Sequence, residues 1–226
     1  MMHAKTRPFD ACIFDLDGTL ANTLTSIAHF GNATLEEYGL PPIPVETYKT
    51  LVGNGADVLM RRMLNTVGAQ FPEDKLREFR ASYDRRYESD PMALVEPYPG
   101  IPQTLEQLKA LGLKIGVLSN KPDNMAQYIV GALFGSLPDQ VHGQRASYPT
   151  KPDPKAVLEM AADFGVSPQR VLYVGDSGVD METGRNGGMV PCGVLWGFRD
   201  REELLENGAQ HLVETAEELY HLAAGI

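Results

Sequence analysis

Histidine and cysteine are scarce in this 226-residue chain, and their scarcity removes the usual routes to transition-metal chemistry. The five histidines (His3, His29, His142, His211, His221) are scattered without an H-x-H or H-E-x-x-H pattern, so no zinc site is expected. Cys12 and Cys192 lie in apolar runs with no C-x-x-C spacing and read as buried free thiols, suited to a reducing cytoplasm. No apolar run approaches the length of a membrane span, and the polar opening Met-Met-His-Ala-Lys-Thr-Arg-Pro lacks the apolar centre of a signal peptide. Positive charge is also in deficit. A formal net charge of −10 works against sequence-independent binding to nucleic acid or to anionic membranes, and neither partner is expected. No G-x-x-x-x-G-K-[ST] loop is present, which argues against nucleotide hydrolysis of the P-loop type. The remaining composition, 43% hydrophobic and 22% charged, is that of a globular chain large enough for one big domain or a core with a smaller companion.

The stretch Ala11-Cys12-Ile13-Phe14-Asp15-Leu16-Asp17-Gly18-Thr19-Leu20 organises the rest. An apolar, β-prone run leads into two carboxylates, and a glycine and a threonine then turn the chain. If the backbone stays extended, Asp15 and Asp17 face one side and share one small volume. Such a pair repels itself unless a cation lies between the groups or one of them holds a proton. The alternative is a strand end solvated by two surface aspartates. An EF-hand calcium loop does not fit, because Thr19, Leu20 and Ser26 fall where a ligand, a glycine and the closing glutamate belong.

Beyond this strand the period is helical. Apolar or small residues recur at Leu24, Ile27, Ala28, Gly31, Leu35 and Tyr38. Further helices are expected over 44–51, after Gly53-Asn54-Gly55, and over 72–87, with no convincing strand among them. After Pro97-Tyr98-Pro99-Gly100, helix and strand alternate to the end. A helix over 101–111 precedes the strand 114–118, a helix begins near Asn124, and a short strand lies near 140–142. Asp153 and Pro154 open another helix, strands follow at 171–174 and 189–195, and Thr215 and Glu218 form a capping box for the last helix. This rhythm indicates a doubly wound, Rossmann-like parallel sheet in an α/β core of residues 1–20 and 99–226. Residues 21–98 are far too long for an ordinary connection and read as an inserted all-helical cap, seated over the carboxyl end of the first strand as a lid.

Three more signals fall at predicted strand ends: Ser119-Asn120, Lys151 before a helix, and Gly175-Asp176-Ser177-Gly178-Val179-Asp180. If these strands are neighbours, Asp15, Asp17, Asp176 and Asp180 meet Lys151, Ser119 and Thr19 at one edge. Carboxylates of this kind suit a hard divalent cation such as Mg²⁺, and a hydroxyl with a lysine suits a phosphate. Mg²⁺ and Lys151 supply +3 against −4 from Asp15, Asp176 and a phosphate dianion. Without metal the site is repulsive, since two like charges about 4 Å apart cost roughly 4 kcal/mol at an effective dielectric near 20. Phosphoryl transfer follows.

These ordered motifs, Asp15-Leu16-Asp17-Gly18-Thr19, Ser119-Asn120, Lys151 and Gly175-Asp176-x-x-x-Asp180, resemble those of the haloacid dehalogenase superfamily over nearly the whole chain. The resemblance implies that Asp15 is a nucleophile forming an aspartyl-phosphate and Asp17 the general acid/base. It implies Mg²⁺ held by the Asp15 carboxylate, the Asp17 backbone carbonyl and Asp176. Ser119 and Lys151 would hold phosphoryl oxygens, with Thr19 and Asn120 on the substrate side, and Asp180 would orient Lys151 or a metal-bound water. Asp17 also argues against a dehalogenase, which needs no acid there.

Two further stretches, Leu51 to Met60 and Gly193 to Arg199, resemble phosphoglycolate phosphatases, and 2-phosphoglycolate is the expected substrate. The loop Gly53-Asn54-Gly55 either presents N–H groups to a substrate carboxylate or only shapes a turn. Arg61 and Arg62 read as a solvated helix face, and Trp196 and Phe198 either line the site or pack. The alternatives are a β-phosphoglucomutase-like phosphotransferase, a phosphatase or pyrophosphatase for another small phosphate compound, and, more remotely, a phospho-accepting receiver. Receivers are about half this length and lack a helical insertion. The expected partner is a small phosphorylated metabolite, and the expected state is a monomer or small homo-oligomer.

Overall fold

The computed structural model describes residues 7–226; His3 and the polar opening up to Thr6 lie outside the described residues. Strand β1 (Ala11–Phe14) is followed by the two-residue strand β2 (Ala21–Asn22). Helices α1 (Leu24–Glu37), α2 (Tyr48–Leu51, entered through a 3₁₀ turn at Val45–Thr47), α3 (Ala56–Thr66) and α4 (Glu73–Ser89) come next. Strand β3 (Glu96–Pro97) leads back to α5 (Ile101–Ala110), β4 (Lys114–Pro122), α6 (Asp123–Phe134), β5 (Gln140–Gln144) and α7 (Lys155–Asp163). The chain closes with β6 (Val171–Gly175), α8 (Gly178–Asn186), β7 (Val190–Val194), α9 (Arg201–Glu206), β8 (His211–Val213) and α10 (Ala216–Ala224).

Six parallel strands form one sheet in the order β5-β4-β1-β6-β7-β8. The order reverses at β1, so the carboxyl end of β1 opens on the crevice where open α/β sheets bind ligands. All four β1 residues are buried because the sheet is covered on both faces. Cys12 and Phe14 join the cluster built with α5, α6 and α10, whereas Ala11 and Ile13 pack on the opposite face with Ala156, Val157 and Met160 of α7. Each large apolar side chain removed from water here contributes about 1.5–3 kcal/mol.

The helices α1–α4 bury a second core of their own. Leu35, Tyr48, Met60, Met63 and Phe79 are essentially inaccessible, and Tyr38, Phe71 and Phe79 pack with ring centroids 5.1–5.7 Å apart. Met125 of α6 joins this cluster from the sheet side, and the half-buried Phe198 packs against it. At the base of the insertion β2 and β3 pair antiparallel, Ala21 with Pro97 and Asn22 with Glu96. The sequence shows no strand here because a two-residue ladder is too short for a period-two pattern. Two other differences have similar causes. β4 runs on past Leu118 through the polar Ser119-Asn120-Lys121, which the apolar pattern cannot signal. α9 is a six-residue helix with Leu204 as its one buried residue, so it carries no readable stripe.

Candidate active site

Register alone brings the motifs together. Phe14 pairs with Val117 on one side and Val174 on the other, and the Asp15 N–H donates to the Val174 carbonyl at 2.9 Å. Asp15 therefore emerges beside Leu118 and Gly175, with Ser119 and Asp176 next along their strands. Asp15 is only 6% exposed, which sets aside the solvated strand end. Asp15 and Asp17 line the same cavity between the sheet and the helical insertion, as their alternation suggests, together with Ser119, Asn120, Lys151 and Asp176.

Lys151 is the charge at the centre. Its buried Nζ lies 2.7 Å from Asp15 Oδ1 and 2.7 Å from Asp180 Oδ1. Asp180 is fixed by its own turn: its Oδ2 accepts from Ser177 Oγ at 2.6 Å and from the Ser177 N–H at 3.2 Å, as the N3 member of a capping box that opens α8. Asp176 accepts from the Phe198 N–H at 2.7 Å. Burial pushes the Asp15 carboxyl up to about 7, against the pull of Lys151 and with the help of Asp180 and Asp17. Asp176 is raised well above the carboxylate range by burial, then by Asp180 and Asp15. Burial opposes the charge of Lys151, but Asp15 and Asp180 outweigh it and keep the ammonium protonated.

One oxygen from each of Asp15, Asp176 and Asp180 lies within 4.8 Å of the others. Three buried carboxylates against one lysine leave an excess of negative charge, and the donors are all hard oxygens. This set fits a hard divalent cation.

The remaining expected residues fall in different places. Ser119 lines the cavity, and its Oγ accepts from the Lys121 N–H at 3.1 Å. Asn120 spends its amide on backbone: Oδ1 accepts from the Lys151 N–H at 2.8 Å, and Nδ2 donates to the carbonyls of Gly53 at 3.0 Å and Lys151 at 3.3 Å. It thereby ties the lysine loop to the glycine loop of the insertion. Gly53 and Gly55 line the cavity with φ of +109° and +86°. Asn54 points elsewhere, its Oδ1 accepting from Arg62 Nη2 at 2.9 Å. Arg62 also donates to the Leu51 carbonyl at 2.9 Å, so it clasps this loop instead of standing on a solvated face. Arg61 pairs with Glu73 at the surface. Thr19 is fully buried away from the cavity lining; its Oγ1 has no hydrogen-bond partner among the described residues, and its carbonyl accepts from Trp196 Nε1 at 3.0 Å.

Sequence reasoning gave no role to Lys121, Tyr87 or Arg199, all of which line the cavity. Lys121 is 7% exposed; its Nζ donates to the Tyr87 hydroxyl at 2.9 Å and lies 3.3 Å from Asp17 Oδ1 without hydrogen-bond alignment. Burial works against its charge, yet Asp17 and Tyr87 hold its pKa above the usual lysine value. The sequence carried no signal for Lys121, because it lies in a polar run after the apolar one, although β4 buries every residue from Ile115 to Lys121. Arg199 donates to the Val52 carbonyl at 3.0 Å and sits 3.3 Å from Glu203.

Gly18 shows how tightly the site is built. It sits at φ +91°, and a Cβ there would stand 2.1 Å from Asp176 Oδ2. Gly18→Ala is expected to cost about 2–4 kcal/mol through backbone strain and displacement of Asp176. Urea unfolding of the two proteins measures this, and an unchanged midpoint contradicts it.

A buried aspartate at the switch point of a parallel sheet, held by a lysine and flanked by acids under a helical insertion, is the site of a phosphatase. The comparisons agree: residues 12–194 match the haloacid dehalogenase-like hydrolase family, and the chain belongs to it. It is 34% identical over 191 residues to a phosphoglycolate phosphatase of Haemophilus influenzae, covering 82% of this chain and 85% of that one. It is 30% identical over 221 residues to an N-acetylmuramic acid 6-phosphate phosphatase of Pseudomonas aeruginosa, covering 95% of each. A crystal structure from Lactobacillus delbrueckii subsp. bulgaricus, provisionally assigned as a phosphoglycolate phosphatase, superposes with a TM-score of 0.91 at 29% identity, covering 97% of this chain and 100% of that one. Among the described residues no helix is long and apolar enough to cross a membrane.

Proposed function

We propose that this enzyme is a Mg²⁺-dependent phosphatase that hydrolyses 2-phosphoglycolate to glycolate and phosphate through a phosphorylated Asp15. The observation that carries the reading is the buried Asp15 with Lys151 Nζ 2.7 Å from its Oδ1, among Asp176 and Asp180. In the first step an Asp15 oxygen attacks phosphorus, the bond to the leaving oxygen breaks, and Asp17 gives that oxygen its proton. In the second step the Asp17 carboxylate takes a proton from a water that attacks the aspartyl-phosphate, which releases phosphate and restores Asp15. Ser119 and Lys151 hold the phosphoryl oxygens, and Asp180 keeps Lys151 in place. The Asp15 carboxylate, the Asp17 backbone carbonyl and Asp176 would hold Mg²⁺, which when bound neutralises charge on the phosphoryl group. Residues 21–98 act as the cap that excludes water and large substrates, over a core of residues 1–20 and 99–226. The buried thiols Cys12 and Cys192 suit a reducing cytoplasm, and the substrate is a small metabolite taken up without nucleic acid or membrane.

A sugar phosphate is the second reading. The wall beyond Asp15 is apolar and aromatic, with Ile27, Val52, Leu59, Tyr83, Met125 and Phe198, which is more surface than glycolate needs. The relative named for N-acetylmuramic acid 6-phosphate also matches over more of the chain than the phosphoglycolate phosphatase from Haemophilus influenzae. Phosphate release across 2-phosphoglycolate, N-acetylmuramic acid 6-phosphate, β-glucose 1-phosphate, pyrophosphate and p-nitrophenyl phosphate separates the two. We expect 2-phosphoglycolate to lead by at least about tenfold in kcat/KM, and EDTA to silence every substrate. A lead by the sugar acid phosphate overturns the substrate, and activity that persists in EDTA overturns the metal.

A further inference from the structure

Lys121 is a buried cation that the phosphoryl chemistry leaves unused. Lys151 already neutralises Asp15 and Asp180, and Lys121 stands apart from it, on the Asp17 side of the same cavity. An ammonium has three donors. The Tyr87 hydroxyl takes one at 2.9 Å, with its ring 4.5 Å from the nitrogen, and the contact to Asp17 Oδ1 at 3.3 Å is not aligned for a hydrogen bond. Donor capacity therefore remains toward the cavity. Burying a lysine is costly unless its charge is paired or hydrogen-bonded, and this side chain is only 5% exposed. Arg199, a third cation on the cavity wall, gives Nη2 to the Val52 carbonyl and sets Nε against Glu203, which ties it to the loop and to α9 although its Nη1 has no partner among the described residues, so it is the control for Lys121. Tyr87 comes from α4 and Lys121 from β4, so the ammonium is held from both sides of the cleft.

The position selects what Lys121 can read. Asp17 is the group that serves the leaving oxygen, so a cation in contact with Asp17 lies beside the first atoms of the leaving group. A carboxylate one carbon beyond the leaving oxygen reaches that point. We infer that Lys121 is the specificity-determining residue of this site and selects phosphomonoesters whose leaving group carries a carboxylate. The inference rests on the phosphatase reading above but not on which acid is the substrate. Any 2-phosphooxy acid meets the requirement, whereas the carboxylate of N-acetylmuramic acid 6-phosphate sits on a lactyl group remote from the leaving O6 and does not.

The experiment compares 2-phosphoglycolate with ethyl phosphate, which lacks the carboxylate, in the wild type, Lys121→Met and Lys121→Gln. 2-Phospholactate and isopropyl phosphate form a second acid and neutral pair. In both variants the preference for the acid over its neutral partner is expected to fall roughly 10–100-fold, through KM more than kcat, because one charge-assisted contact is lost. Lys121→Gln keeps a donor for Tyr87 and so separates charge from packing. A uniform fall on acid and neutral substrates alike would mean that Lys121 only balances Asp17, and overturns the inference. So does a wild type without acid preference, or a preference that disappears in Arg199→Gln but persists in the Lys121 variants. If 2-phospholactate leads and its preference depends on Lys121, the inference stands while the 2-phosphoglycolate assignment falls.

Discussion

Asp15→Asn is expected to remove essentially all phosphate release, by roughly 10⁵-fold or more in kcat, with substrate affinity changed far less. The amide matches the carboxylate in shape, and its Oδ1 can still accept from Lys151, so the fold survives. What it lacks is a charged oxygen able to form the mixed anhydride with phosphorus. On the proposed mechanism, loss of the nucleophile is not shared out among its neighbours: Lys151, Ser119 and the acids act only on a phosphoryl group that has something to bond to. Steady-state release of inorganic phosphate measures the loss. Acid-quenched protein incubated with ³²P-labelled substrate should carry label in the wild type and none in the variant. Turnover within tenfold of the wild type, or label retained by Asp15→Asn, would assign the nucleophile elsewhere.

Asp176→Asn should do something less intuitive and make the metal-free protein more stable while destroying its activity. Asp176 is buried, its carboxyl is raised well above its ordinary value by that burial and by Asp180 and Asp15, and it has no lysine of its own. A carboxyl raised on folding contributes stability that is fully present below its unfolded value near 3.8 and is lost as pH climbs through the folded value. Asp15, pushed up to about 7, behaves in the same sense. Metal-free wild type should therefore lose stability between about pH 4 and neutrality and above. The asparagine keeps the acceptor for the Phe198 N–H and removes the charge, so the variant should gain about 1–3 kcal/mol at pH 8. Mg²⁺ should reverse the ranking, because the wild type gains stability from binding and the variant gains little. Thermal unfolding at pH 6 and pH 8, with EDTA and with Mg²⁺, gives all four comparisons. A variant less stable than wild type at pH 8 in EDTA would show that Asp176 is not under charge stress.

Much of this was legible in the residues because the physics is local or periodic. β1 had to be an all-buried strand, since Ala11 to Phe14 offers no polar face, and alternating helices and strands could satisfy their apolar faces only as a covered parallel sheet. The long helical stretch after Asp17 could not be an ordinary loop. Legibility fell where the determining contact joins distant segments. Nothing near Asn120 says that its amide will be spent on Gly53 and Lys151, and nothing near Arg62 says that it will close on Leu51 and Asn54. Thr19 shows the converse. The turn that positions Asp17 also folds Thr19 inward beneath it, and its carbonyl, not its hydroxyl, finds a partner in Trp196. Lys121 was hidden by its neighbours, because a polar run after an apolar strand reads as the strand's end whereas the ladder in fact continues through it.

The ribbon of β2 and β3 has a bearing on how such a chain can diversify. Ala21 and Pro97 are paired neighbours, so the outgoing and returning chain cross into the helices at a single point. From the sheet's side, the whole insertion closes a gap no wider than a hairpin. The entropy of closing a loop grows only with the logarithm of its length, and here the ribbon and a separate apolar core absorb most of it. The helices can therefore lengthen, shorten or be exchanged with little strain passed to Asp15, Lys151 and Asp176. On the proposed division of labour, recognition and bond-breaking are free to change at different rates, constrained only where sheet-side side chains such as Lys121, Asn120, Met125 and Arg199 meet the helices.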